Sequence, residues 1–399
     1  MLHAHLIIDE TQGTTYTYVE KLVALESCKP KADKALPEQL KKICTPFKRE
    51  AWQWMLRDYP DQQAAQLIIQ GISEGFRIGF DYTDHTLQSC DRNMVSARQH
   101  PEVVSDYLRQ ELELGRISKL SSQDLVESLG IHISPFGVIP KRHKPGKWRL
   151  ILDLSSPEGK SVNDGINKDT CSLSYTSVDE VVECILMVGK GALLAKMDVM
   201  QAYRNVPVHP QDRFLLGMRW QDTVFVDNTL PFGLRSAPLI FSAIADMLQW
   251  IMHSKGVEWL FHYIDDFITV GRPRSQQCRD NVGIMRSVCK ETGTPLEEAK
   301  FEGPATVIEF LGIELDTEAL EIRLSQTKLQ TLVDLLSQWR GKKVVRKRDL
   351  LSIIGSLSHA CKVVKPGRAF LRRIINLSTV AHHLDHHIRL NREARSDIE

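Results

Sequence analysis

Two adjacent aspartates inside an apolar run constrain the folding of this chain more than any other feature. The run is Phe261-His262-Tyr263-Ile264-Asp265-Asp266-Phe267-Ile268-Thr269-Val270. Val, Ile, Tyr and Phe favour strands, whereas an unpaired buried carboxylate is costly enough that it neutralises or finds a counter-charge. A hairpin with the aspartates at its tip satisfies both demands. Such a tip presents carboxylate oxygens together, and hard oxygen donors suit Mg²⁺ or Mn²⁺. Aspartate is also a common turn residue, so a plain surface turn competes with a metal site until other residues join the pair.

The 399 residues, 42% apolar and 25% charged, describe a core-forming chain of roughly two to three domains. The formal net charge is only +1, so affinity for a polyanion must come from clustered cations. The eight cysteines are scattered, without a C-x-x-C pair or zinc-like spacing, as expected of reduced thiols. The start lacks the pattern of a signal peptide, and no apolar run approaches the length that crosses a bilayer. The expectation is an intracellular protein, in cytoplasm or nucleus, with no membrane partner.

Residues 1–95 carry the weakest signal, a polar extension with a lysine-rich patch (Lys29, Lys31, Lys34, Lys41, Lys42) and a helix through Trp52 and Met55. After Pro101, helical spacing places Val104, Tyr107, Leu108, Glu111 and Leu112 on one face. Two strand-like runs follow, Phe136 to Pro140 and Trp148 to Asp153, around a cationic Pro-Gly turn. That turn reads either as a solvated tip or as a flap whose Lys and Arg grip phosphates.

A helix from about Val178 leads to the strand Ala192 to Met197, which ends at Asp198. Asp198 reads as a further metal ligand or as a helix N-cap. Strands over Phe214 to Arg219 and Thr223 to Asn228 precede the loop Leu230-Pro231-Phe232-Gly233-Leu234-Arg235-Ser236-Ala237-Pro238, which opens a long apolar helix. A glycine loop at a helix start can bring backbone N–H groups against phosphate or base. From Ser325 the pattern turns wholly helical. Between Arg340 and Arg373 eleven lysines and arginines face a single acid, Asp349, either a solvated face or the footprint of nucleic-acid binding.

Taken together, Lys196-Met197-Asp198, Leu230-Pro231-Phe232-Gly233-Leu234 with Ala237-Pro238, Tyr263-Ile264-Asp265-Asp266 and Phe310-Leu311-Gly312 occur in the order of the reverse transcriptase motifs. The set is far more specific than any member. Ser161-Val162-Asn163-Asp164-Gly165, Tyr203 to Pro210 and Leu216-Gly217-Met218-Arg219-Trp220 most resemble the DIRS-type retrotransposons, which pair such a polymerase with a tyrosine recombinase. The resemblance covers roughly residues 65 to 395.

The resemblance implies an α+β right-hand polymerase: an extension over 1–95, fingers 96–190, a palm with an antiparallel sheet over 191–320, and a helical basic thumb over 321–399. It implies template-directed transfer of nucleotides from dNTPs to a primer 3′-hydroxyl on RNA and DNA templates. Asp198, Asp265 and Asp266 match the carboxylates that hold two Mg²⁺ or Mn²⁺ ions. Lys144 and Arg149 match the fingers cations on the triphosphate, with Lys141 and Arg142 as rivals to Lys144. Tyr203 matches the position that excludes a 2′-hydroxyl, Phe232 and Gly233 lie beside nucleotide and template, and Lys300 matches the lysine assigned to pyrophosphate. Phe310-Leu311-Gly312 looks like the primer grip. RNase H and recombinase modules, common in the family, are expected on a longer or separate chain or absent. An RNA-dependent RNA polymerase and a silent nucleic-acid-binding remnant stay open as alternatives. The reading demands that Asp198 lie within about 8 Å of a hairpin aspartate, so that ions roughly 4 Å apart can be shared.

Overall fold

The computed structural model describes residues 18–30, 34–120, 123–140, 146 and 148–398. At its centre lies a four-stranded antiparallel sheet in the order Trp259–Tyr263, Asp266–Gly271, Leu193–Asp198, Glu302–Ala305. Its central strands bury Leu194, Ile268 and Val270 completely, which fixes their register because a slip of one residue would exchange the two faces. Two helices, Ala237–Ser254 and Gln277–Thr292, carry apolar faces. The longer starts with Pro238 in its first turn, where a missing N–H costs nothing.

A three-stranded sheet, Val307–Phe310, Ile313–Asp316 and Glu321–Leu324, shares an apolar cluster with the central strands through Phe310, Ile313 and Leu315. On the other side, Phe136–Pro140 pairs with Trp148–Leu152 as the expected hairpin. The segment expected to be strand from Phe214 divides differently. Pro210–Leu215 forms a 3₁₀ helix and the strand runs only over Gly217–Trp220. Pro210 sits in the first turn of that 3₁₀ helix, and the side chain of His209 accepts from the Gln211 N–H at its start.

The weak sequence signal before residue 95 hides a well-packed region. Leu22, Trp52 and Ile68 belong to the same apolar core as Leu239 and Phe241 of the long helix. The Trp52 indole N–H donates to the Thr292 carbonyl at 3.1 Å, and the Lys48 backbone N–H donates to it at 2.9 Å. The C-terminal region has its own core around Trp339, Leu350, Ile353 and Ile374. It is not wholly helical, since Val344–Arg346 pairs antiparallel with His387–Arg389. Alternation of Val345 and Ile388 inward with exposed neighbours outward marks these short strands, three residues each, too brief to stand out between helical repeats. Among the described residues no helix is long and apolar enough to cross a membrane.

Candidate active site

The strand that carries Asp198 runs antiparallel to the second strand of the hairpin, with Asp198 directly opposite Asp266. Residues so paired have Cα atoms about 4.5–5.5 Å apart, well inside the separation that ion sharing demands. The ladder continues past the strand end, where the Val199 N–H donates to the Asp265 carbonyl at 2.9 Å. Tyr263 pairs with Asp266, so Ile264 and Asp265 alone form the turn. Ile264 adopts φ 55°, a left-handed conformation that costs a β-branched residue about 1–3 kcal/mol. The strain is concentrated at the hairpin tip, beside the carboxylates.

Electrostatics mark the same point. Asp198 is buried and the two hairpin aspartates are half-buried. Burial raises the pKa of Asp265, and the charge of Asp198 adds to the rise. Asp266 is raised by burial, then by Asp265 and Asp198 and by its hydrogen bond with Asp198. Among the described residues one cation answers these three acids, Lys300, whose Nζ lies 2.7 Å from Asp198 Oδ2. Burial works against the Lys300 charge, but its hydrogen bond to Asp198 and the attraction of all three aspartates outweigh it and raise its pKa. The loop bearing Lys300 is zipped onto the strand exit, the Met200 N–H donating to Pro295 O and the Glu297 N–H to Asp198 O, each at 2.9 Å.

Three carboxylates against one half-exposed lysine leave a residual negative charge, which is what a divalent cation would neutralise. Among the described residues no three such side chains wrap a metal unaided. An ion here would need further oxygens, and Mg²⁺ sites built on one or two carboxylates take them from phosphates and water. The donor set fits a hard cation shared with a phosphate ligand.

Tyr203 follows on the 3₁₀ helix Ala202–Asn205. Its ring meets Phe232 at 5.5 Å and Phe241 at 6.0 Å between centroids, and burial followed by nearby Tyr175 and Asp265 pushes its hydroxyl pKa up. Phe232 stays 47% exposed and so offers a free apolar surface beside Tyr203. Gly233 has φ 95°, and a Cβ there would stand 3.0 Å from the Leu152 carbonyl. Only glycine fits that backbone without strain.

The arrangement also depends on residues to which the sequence motifs assign no role. Asn163 spans the glycine loop, its amide donating to Gly233 O at 2.9 Å while its carbonyl accepts from the Arg235 N–H at 2.8 Å. Arg204, buried directly beside Tyr203, pairs with Glu111 and with Asp227, each at 2.7 Å. The signal for it is a charged residue inside the otherwise compact run Ala202 to Val206, which has to find acids. Arg149 is exposed on the hairpin of Phe136–Pro140 and Trp148–Leu152, opposite Ile139. Lys144, with Lys141 and Arg142, lies outside the described residues.

Residues 139–315 match the family model of the reverse transcriptase (RNA-dependent DNA polymerase). These residues form a reverse transcriptase domain. The polyproteins it resembles come from a virus and from a transposon. The chain is 26% identical over 249 residues to Polyprotein P3 of Commelina yellow mottle virus, covering 61% of this chain and 12% of that protein. It is 22% identical over 291 residues to the Transposon Tf2-3 polyprotein of Schizosaccharomyces pombe, covering 73% and 19%. The chain therefore spans less than a fifth of either polyprotein. The foamy viral protease-reverse transcriptase in complex with RNA/DNA hybrid superposes with a TM-score of 0.56 at 13% identity, over 93% of this chain and 46% of that one. A second foamy viral structure, in complex with double-stranded DNA, gives 0.55 at 13% identity over 92% and 61%. The reverse transcriptase domain thus sits in a right-hand polymerase fold.

Proposed function

We propose that this chain is an RNA-directed DNA polymerase that extends a primer 3′ end with deoxynucleotides on RNA and DNA templates. The observation that carries the proposal is the pairing of Asp198 with Asp266 beside the strained hairpin tip, inside the matched domain. Asp198, Asp265 and Asp266 would hold two Mg²⁺ ions, and these would supply activation of the 3′-hydroxyl and charge neutralisation at the departing pyrophosphate. The protein contributes position and charge. Tyr203, braced by Phe232 and Phe241, carries the incoming sugar and rejects a 2′-hydroxyl. Gly233 gives its flat backbone to the nucleotide, and Asn163 keeps that backbone in place. Arg149 and Lys144 bind the triphosphate from the fingers, and Lys300, beside Asp198, donates a proton to the departing pyrophosphate.

Fingers over 96–190, palm over 191–320 and thumb over 321–399 follow from this reading, with the basic face of the thumb on the duplex backbone. The complexes of the foamy viral enzymes with RNA/DNA hybrid and double-stranded DNA support these partners. The motifs around Asn163, Tyr203 and Gly217 favour a DIRS-type element as the source.

The deciding experiment is primer extension on an RNA template with Mg²⁺, wild type beside Asp265→Asn. Extension by the wild type, lost in the variant, supports the proposal. Equal extension by both would sink it.

A further inference from the structure

The turn Leu311-Gly312 joins the strands Val307–Phe310 and Ile313–Asp316. Both residues are left-handed, Leu311 at φ 50° and Gly312 at φ 77°. Glycine adopts this readily, but leucine does so only when its surroundings hold it. The turn matters because, with Lys196, Asp266, Glu309 and Phe310, it walls a cavity of about 310 Å³ on the flank of Asp266. Tyr203, Phe232 and Gly233 do not line that cavity. The residues proposed to seat the sugar and base of the incoming nucleotide thus lie outside this wall.

The turn is held from outside by the C-terminal helical region. His359, near the end of the helix Lys347–Ala360, lies with Nε2 3.0 Å from the Leu311 carbonyl. A carbonyl can only accept, so Nε2 carries the hydrogen. Lys328, on the helix Gln326–Trp339, lies so close over Gly312 that a Cβ there would collide with its ammonium. Val363 and Leu311 both pack against the apolar cluster that contains Phe310.

We propose that His359 is a positioning residue that latches the cavity wall to the helical region, so that the terminal nucleotide of a primer and the duplex behind it are held in one register. The latch acts through the Leu311 carbonyl and touches no reacting atom. This inference rests on the polymerase reading above, and its test separates the two.

His359→Gln and His359→Met fill similar space, but only glutamine can donate to the Leu311 carbonyl. For both variants and the wild type, primer–template affinity is measured by fluorescence anisotropy, and the apparent KM values for primer–template and for dNTP by single-nucleotide extension. Loss of one hydrogen bond predicts that Met weakens primer–template binding about three- to tenfold. The dNTP KM should stay within about twofold, and Gln should stay close to wild type. Met and Gln behaving alike, or the dNTP KM moving as far as that of the primer, overturns the latch. A wild type that binds primer–template without extending it defeats the polymerase reading, while the anisotropy of the two variants still decides the latch.

Discussion

Two clusters of acids meet the segment from Asp198 to Arg204, and they are compensated differently. Glu111 and Asp227 close on Arg204, with Arg116 3.6 Å from Glu111, so two acids meet two arginines. Among the described residues, Asp198, Asp265 and Asp266 meet Lys300 alone, and that lysine side chain is 57% exposed. Burial pushes the pKa of Asp227 up to about 6 against the pull of Arg204, but the ion pair at 2.7 Å leaves the cluster neutral overall. The first cluster is finished by the protein. The second is left negative at a solvent-accessible tip, and that imbalance distinguishes a scaffold from a site that awaits a cation.

Stability separates the two clusters most directly. Arg204→Met strands the buried Asp227 and leaves Glu111 with Arg116 alone, and should cost about 3–5 kcal/mol. Lys300→Met removes a largely solvated partner and should cost about 1 kcal/mol or less. Denaturant unfolding of both variants measures the gap, and equal losses would erase the distinction between the clusters. Activity should respond the other way round. Asp198→Asn relieves repulsion in the open cluster, so its unfolding midpoint should stay level or rise, while primer extension falls at least about a hundredfold. A folded Asp198→Asn protein with undiminished extension would show that the open cluster does no chemistry. Between the clusters stands Tyr203, next to Arg204 in sequence and near Asp265 in space. Tyr203→Ala should lower discrimination between dNTP and rNTP about ten- to a hundredfold. An unchanged ratio in competitive incorporation would remove the sugar check from this residue.

How much of this is legible in the sequence depends on whether the signal is local. The hairpin around Asp265 and the strand ending at Asp198 are legible because apolar runs and a pair of misplaced charges are properties of adjacent residues. Their pairing is long-range, but the sheet logic of two strands ending in acids anticipates it. Glu111 shows the limit. Helical spacing puts it on the inward face, and it is buried there, yet its reason lies 93 residues away in Arg204. Nothing near Glu111 names that partner. Trp52 is similar, since its anchor is the Thr292 carbonyl, 240 residues on. The two short strands Val344–Arg346 and His387–Arg389 escape because three residues carry too little alternation to compete with the helical pattern around them.

Cation binding separates the two clusters without any turnover. If the open cluster is short of positive charge, a divalent cation binds the folded protein there and not the unfolded chain. At ten times the dissociation constant, such binding stabilises by RT ln 11, about 1.4 kcal/mol. For a chain of this size that corresponds to a rise in melting temperature of roughly one to three degrees. Mg²⁺ or Mn²⁺ should produce the rise in the wild type and lose it in Asp198→Asn. Glu111→Gln, altered in the closed cluster, should keep it even if its starting temperature is lower. A rise that survives Asp198→Asn would place the cation elsewhere, and the open cluster would then be a set of acids held only by Lys300. A rise lost with Asp198 but kept with Glu111→Gln ties the missing charge to one of the two clusters, because the shift is read within each variant, with and without the ion.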